Sequence, residues 1–252
     1  MPVIIGQPEN CMTTTESGLQ GQAWRALVLI YASVQFLLLT AIAMLVYPGG
    51  AVFEPNATSY LFFRNFFSDL GATVTPSGRP NLASHILFAI ALGSVGLALI
   101  LASANWKVIA ARRQRSGSAG WASQAFEVIA GLGFIGIAAT PWNLVLDAHN
   151  GFVRAAFGFL LAYDLCLLVI QLRNRWPAAY TAANTVYLVL LIAYVAILFF
   201  GPRLDTKSGL EFQVGAQKII VYASVINLGL QAVSVHFEAG RSSRQRRGNL
   251  AA

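Results

Sequence analysis

The chain has 252 residues, of which 56% are hydrophobic and only 11% charged, and its mean hydropathy is +0.61. A water-soluble domain of this size carries charge on roughly a quarter of its residues, so that class is excluded. The formal net charge of +7 does not point to nucleic acid. Most of the excess lies in short segments beside apolar runs, where orientation in a bilayer and attraction to anionic lipid explain it.

Six apolar runs, at 24–47, 82–104, 124–142, 151–172, 178–201 and 213–236, each approach the ~20 residues needed to cross a bilayer core. The expected fold class is therefore all-α: one domain over 24–236, a polytopic transmembrane bundle of six helices. A leader over 1–23 and a basic tail over 237–252 flank it. Of the 17 Lys and Arg residues, eleven fall on one side of the expected bundle and six on the other. Arg25, Lys107, Arg112, Arg113, Arg115, Arg173, Arg175 and the tail arginines Arg241, Arg244, Arg246 and Arg247 make the larger group. The excess of positive charge on cytoplasmic loops predicts a cell-membrane protein with both termini in the cytoplasm. Residues 48–81 and the turns near 143–150 and 202–212 then face outward.

The first run is expected to stay in the mature protein, because its polar leader carries Glu9 and Glu16 and its apolar stretch exceeds a signal core. Cys11 and Cys166 are too few and too far apart in depth for a disulfide framework or a cysteine zinc site. Asn56-Ala57-Thr58 matches a glycosylation acceptor, a tripeptide common by chance. In the long loop, Tyr60, Phe63, Phe67 and Leu70 share one face at helical spacing, while Arg64, Asn65, Ser68 and Asp69 gather on the other. An interfacial outer helix is predicted near residues 59–70, ended by Gly71. Within the third run, Gly131-Leu-Gly133-Phe-Ile-Gly136 spells a dinucleotide fingerprint, but no strand and turn surround it, so close helix packing is expected.

Polar residues recur at the outward level: Asn65, Ser68, Asp69, His85, Asn143, Asp147, His149, Asn150, Glu211, Gln213, Gln217 and Lys218. Taken singly, Asn81 and Asp147 read as helix N-caps, His85 as a packing residue and Lys218 as a snorkelling anchor. Taken together, Asn65, Ser68, Asp69, His85, Asp147, His149, Asn150, Gln217 and Lys218 are candidates for one ligand-binding pocket, with Asp69 or Asp147 held by a histidine or by Lys218.

Three segments among these carry a resemblance. Asn65-Phe-Phe-Ser68-Asp69-Leu-Gly71, Ala139-Thr140-Pro141-Trp142 running on to Asp147-Ala148-His149-Asn150, and Gln217-Lys218-Ile-Ile-Val-Tyr222 are similar to the DUF998 family of integral membrane proteins. The resemblance implies a multi-pass helical fold and supplies no substrate or cofactor. Where family members often carry an acid, this chain has Asn143.

The expected activity is recognition of a lipid head group or small ligand, with membrane lipids as partners and no cofactor. An alternative is a membrane-embedded metal-dependent hydrolase, in the manner of alkaline ceramidases and adiponectin receptors. Of the three histidines, His236 belongs to the opposite end, which leaves His85, His149, Asp69 and Asp147 as the candidate ligands. A proton-coupled transporter or a scaffold is the further alternative. Asp164 lies at the depth of Asn184 and Asn227, with Glu127 nearer the cytoplasm, and the two asparagines are its expected hydrogen-bond partners.

Overall fold

The computed structural model describes residues 9–113 and 117–251, and the side chains of 18–110 and 117–241. The side chains of Cys11, Arg112, Arg113, Arg115, Arg244, Arg246 and Arg247 lie outside the described residues. Seven helices follow in order: α1 (Glu9–Leu45), α2 (Leu82–Ala102), α3 (Ala104–Arg113), α4 (Gly117–Ala139), α5 (Leu146–Arg173), α6 (Ala178–Phe200) and α7 (Lys207–Ala251). Six segments are long and apolar enough to cross a bilayer: Gly18–Leu45, Leu82–Ala110, Gly117–Ala139, Leu146–Arg173, Ala178–Phe200 and Lys207–Arg241. Apolar side chains drive them into lipid, and the helix is the form that satisfies every backbone polar group there without water. The chain is an all-α, multi-pass membrane protein.

The helices extend beyond the apolar runs. α1 starts at Glu9, inside the polar leader, and α7 continues through the basic tail to Ala251. Helical hydrogen bonding does not need apolar side chains, so hydropathy marks the part within the bilayer rather than the helix ends. α4 stops at Ala139, short of the expected 142, because the residue before Pro141 is disfavoured in helical conformation.

Neighbours in sequence are neighbours in space. α1 packs on α2, α2 on α4, α4 on α5, α5 on α6 and α6 on α7, and α7 returns to α1. The six spans therefore form a closed ring, with α3 laid against α4. Close approach of α2 and α4 depends on two glycines. A Cβ on Gly131 would stand 2.6 Å from the Gly96 carbonyl oxygen, and one on Gly96 would stand 2.5 Å from that of Gly131. The fingerprint-like glycines thus serve helix packing, as their position in a span implies.

An even number of spans puts the start of α1 and the end of α7 at one end of the ring, where His236 of α7 faces the Ala23 carbonyl of α1 at 3.5 Å. At the other end, the loop over 46–81 folds over the mouth. Gly49 and Gly50 turn it with φ of 98° and 94°, and a Cβ on Gly50 would meet the Ser77 backbone at 2.6 Å, where two stretches of the loop approach each other. The outer helix expected near 59–70 is not continuous. Turns over 61–65 lead into a single 3-10 turn, Phe67–Gly71, which rests on α1, α2 and α7. The cause is Asn65: its Oδ1 accepts the Leu61 N–H at 2.9 Å and its Nδ2 donates to the Gly50 carbonyl at 2.9 Å, replacing helical backbone bonds with side-chain ones.

Candidate functional site

The 3-10 turn ends in carbonyls that a continuing helix would have satisfied, and α2 supplies the donors instead. Asn81 Nδ2 donates to the Leu70 and Ala72 oxygens at 3.1 and 2.9 Å, and Ser84 Oγ donates to that of Leu70 at 3.1 Å. His85 Nδ1 lies 2.7 Å from the Gly71 oxygen. Asn81 therefore stands at the N-cap position of α2 without making a side-chain cap bond to it.

Asn65 holds the other side of the turn. Its Nδ2 also donates to Asp69 Oδ2 at 2.9 Å, and its backbone oxygen receives Lys218 Nζ at 2.9 Å. Lys218 is a buried cation rather than a snorkelling anchor, only 2% exposed. It also donates to the Tyr60 hydroxyl, and its ammonium sits 4.1 Å from the centre of the Phe67 ring. Carbonyl, hydroxyl and aromatic faces together replace its hydration.

Asp69 does not take Lys218 or a histidine as its hydrogen-bond partner. Its Oδ2 accepts from Asn65 and from the Phe66 N–H, the latter at 2.9 Å, with Asn65 standing between acid and ammonium. Burial pushes the Asp69 carboxyl up to about 6, against the lowering effects of those two bonds, of the Lys218 charge and of the nearby Trp142 indole. Tyr47 and Tyr60 are raised by burial too, and further by Asp69.

Two cavities meet beneath this cap. A vestibule of about 300 Å³ lies between the cap and α5, α6 and α7, where Ser68, Asp69, Trp142, Asn150, Tyr194 and Gln213 line it. A narrow chamber of about 60 Å³ lies inside the ring and is walled by Phe36, Phe88, Leu92, Phe134, Phe157 and Leu228 among others. Both are lined by Ser68, His149, Val153 and Gln217, which form the neck between them. Gln217 is fixed there by its Oε1, which accepts the Phe67 N–H at 2.7 Å. His149, 4% exposed, lies 2.6 Å through Nδ1 from the Thr140 oxygen. A carbonyl can only accept, so Nδ1 carries the hydrogen and the neutral ring keeps a lone pair on Nε2.

Of the nine candidate residues, Ser68, Asp69, His149, Asn150 and Gln217 border the vestibule, and Asn65, His85, Asp147 and Lys218 do not. Asn65, His85 and Lys218 are consumed in holding the cap. Asp147 is exposed in the first turn of α5, whose N-cap is Val145. Among the described residues no group of three or more His, Cys, Asp or Glu side chains could hold a metal, so His85, His149, Asp69 and Asp147 do not assemble into a zinc site. Asn143 ties the loops together, its Oδ1 accepting from the Thr73 N–H at 3.0 Å. Deeper, Asn227 Nδ2 donates to Asn184 Oδ1 at 3.0 Å, and neither oxygen of Asp164 has a hydrogen-bond partner. The asparagines expected to hold Asp164 hold each other.

No family model matches the chain, and neither does any curated protein or solved structure.

Proposed function

We propose that the protein binds a single-chain membrane amphiphile, with its polar head in the vestibule and its hydrocarbon tail in the chamber. The observation that carries this reading is the shared neck of Ser68, His149, Val153 and Gln217. From Gln217 to Leu228, both on α7, the chamber is ~16 Å deep at 1.5 Å rise per residue, about half of the ~30 Å hydrocarbon core. That is the depth of one leaflet; at about 60 Å³ the chamber is a narrow slot, so an acyl chain would enter it by parting the side chains that wall it. Leu146 and Leu204 at the vestibule rim are exposed, which offers a path from the lipid.

The head group's chemistry follows from the lining. A carboxyl, an imidazole and the amides of Asn150, Gln213 and Gln217 face the vestibule, while no Lys or Arg does. Such a site suits hydroxyl or amine donors and lacks the cations that a phosphate would need. The likeness to DUF998 rests on three motifs, and each sends residues to the vestibule. We take kinship with that family as part of the proposal, together with a cell-membrane location and cytoplasmic termini. In that orientation, Ser77→Cys and Lys207→Cys react with an impermeant thiol reagent in intact cells and Ser118→Cys does not; labelling of the last alone would invert it.

Thermal unfolding in phosphatidylcholine nanodiscs tests the ligand class with decylamine, decyl glucoside and decyl phosphate, which share one tail. The amine and glucoside should raise the melting temperature through linkage, the phosphate should not, and Val153→Trp, which fills the neck, should abolish the effect. Equal stabilisation by all three, or by none, would remove this reading.

A further inference from the structure

Beneath the chamber the ring carries a second polar layer that ligand binding does not use. Asp164 of α5 is fully buried, and both of its carboxyl oxygens lack a hydrogen-bond donor. It lies nine residues before Arg173, ~13 Å from that end of α5 at 1.5 Å per residue, well within the hydrocarbon. Asn184 Nδ2 on α6 has no acceptor, and Glu127 Oε2 on α4 has no donor. Buried groups left open in this way are where internal water binds.

Two routes lead from this layer. Toward the chamber, Tyr187 of α6 lies within electrostatic reach of Asp164, and its hydroxyl is 3.0 Å from Ser224 Oγ, which lines the chamber. Toward the end that holds the termini runs a column of amides. Gln231 Nε2 donates to Asn227 Oδ1 at 3.1 Å, and Gln231 Oε1 accepts from Gln171 Nε2 at 2.6 Å. One turn further, Ser234 borders a cleft that also contains His236. The titratable groups around Asp164 are Tyr163 on its own helix and Tyr187 on α6, with Glu127 of α4 acting on Tyr163. Among the described residues no cation forms an ion pair with Asp164.

We propose that Asp164 is a proton-binding site, loaded from the terminal end along the amide column and linked to chamber occupancy through Tyr187 and Ser224. The step is transfer of one proton from hydronium to the carboxylate: one O–H bond breaks in the donor, one forms on the carboxyl, and neutral water is released. A carboxylate at this depth with no donor is far costlier than a neutral carboxyl. Hydrocarbon in the chamber displaces water that would solvate the charge from the Ser224 side, so a filled chamber favours the protonated acid. By reciprocity, the protonated acid favours a filled chamber. The linkage, but not the proton site itself, rests on the amphiphile reading.

Infrared difference spectra of the full chain in phosphatidylcholine nanodiscs test the site directly. A neutral-carboxyl stretch should shift in heavy water, vanish in Asp164→Asn, move in Asp164→Glu and persist in Glu127→Gln. Asp164→Glu keeps the carboxyl and so separates loss of the site from loss of the fold. As alkali titrates that band, stabilisation by the uncharged decyl glucoside should shrink severalfold in the wild type and stay constant in Asp164→Asn. Absence of an Asp164-dependent band at every pH overturns the proton site. A band that titrates while the stabilisation stays constant overturns the linkage. If the glucoside stabilises at no pH, the amphiphile reading and the linkage fall together, and the band alone decides the proton site.

Discussion

Two fully buried polar side chains of the ring, Asn65 and Asp164, are treated in opposite ways. At the capped mouth, Asn65 spends its amide on Gly50, Leu61 and Asp69 and its backbone oxygen on Tyr60 and Lys218. In the middle of the membrane, Asp164 is just as buried and holds no partner at all. Saturated groups hold a shape, since removing one orphans several others. Unsaturated groups hold nothing, so a role for them has to be sought in what they bind. The difference separates residues that build the site from those available to act, and three variants can break or sharpen it.

The largest effect is expected at Asn65. Asn65→Ala leaves the Gly50 carbonyl, the Leu61 N–H and Asp69 Oδ2 each short of a bond in a buried setting. Orphaned buried groups cost ~1–3 kcal/mol each before relaxation, so a loss of ~3 kcal/mol or more is expected. Reversible unfolding in mixed micelles measures it. A loss below ~1 kcal/mol would mean that the cap is held by packing alone, and the contrast with Asp164 would lose its basis.

Asp69 comes next, because it belongs to the cap yet faces the vestibule. Its carboxyl is raised from 3.8 to about 6 by burial, so folding favours its protonated form. The sign follows: this contribution is fully present below about 3.8 and is lost as pH rises through about 6. Wild-type stability should therefore fall by on the order of 1–3 kcal/mol across that window, and Asp69→Asn should flatten the curve there. Both proteins are compared by chemical unfolding at a series of pH values. A wild type that gains stability through the window would place Asp69 among the paired, charge-stabilised groups instead.

What a sequence displays and what it hides divide along the same contrast. Spans show in sequence because twenty consecutive apolar residues have few alternatives. Gly131 was readable as a packing residue because a membrane span denies it phosphate. Over 59–70 the chain departs from the predicted helix because helical spacing describes side chains, whereas Asn65 competes for the backbone itself, which periodicity does not report. Ser68, Asp69, His149, Asn150 and Gln217 stand out in the sequence as polar residues at one level, and they border the vestibule. Lys218 and His85 stand at that level too, but carbonyls of the cap occupy them, a fact that needs tertiary structure. The chamber walls left no signal, since Phe88 or Phe157 in a span reads the same whether it faces a neighbour, a void or lipid.

The smallest effect on stability should come from the most deeply buried acid. Asp164→Asn keeps the size of the side chain and removes the ionisable proton, and no hydrogen bond between Asp164 and a neighbour exists to be broken. Polar contacts that do exist between transmembrane helices average only ~0.6 kcal/mol, so a group with none is expected to change stability by less than ~1 kcal/mol in either direction. A structural carboxyl would behave differently: amide for acid would cost several kcal/mol through a lost charge-assisted bond. Unfolding of Asp164→Asn beside Asn65→Ala, in the same micelles, sets the two regions against each other. If Asp164→Asn proves as damaging as Asn65→Ala, Asp164 is part of the scaffold. A near-silent Asp164→Asn leaves proton binding as the reason for an acid in hydrocarbon, where holding it in place cannot be the reason.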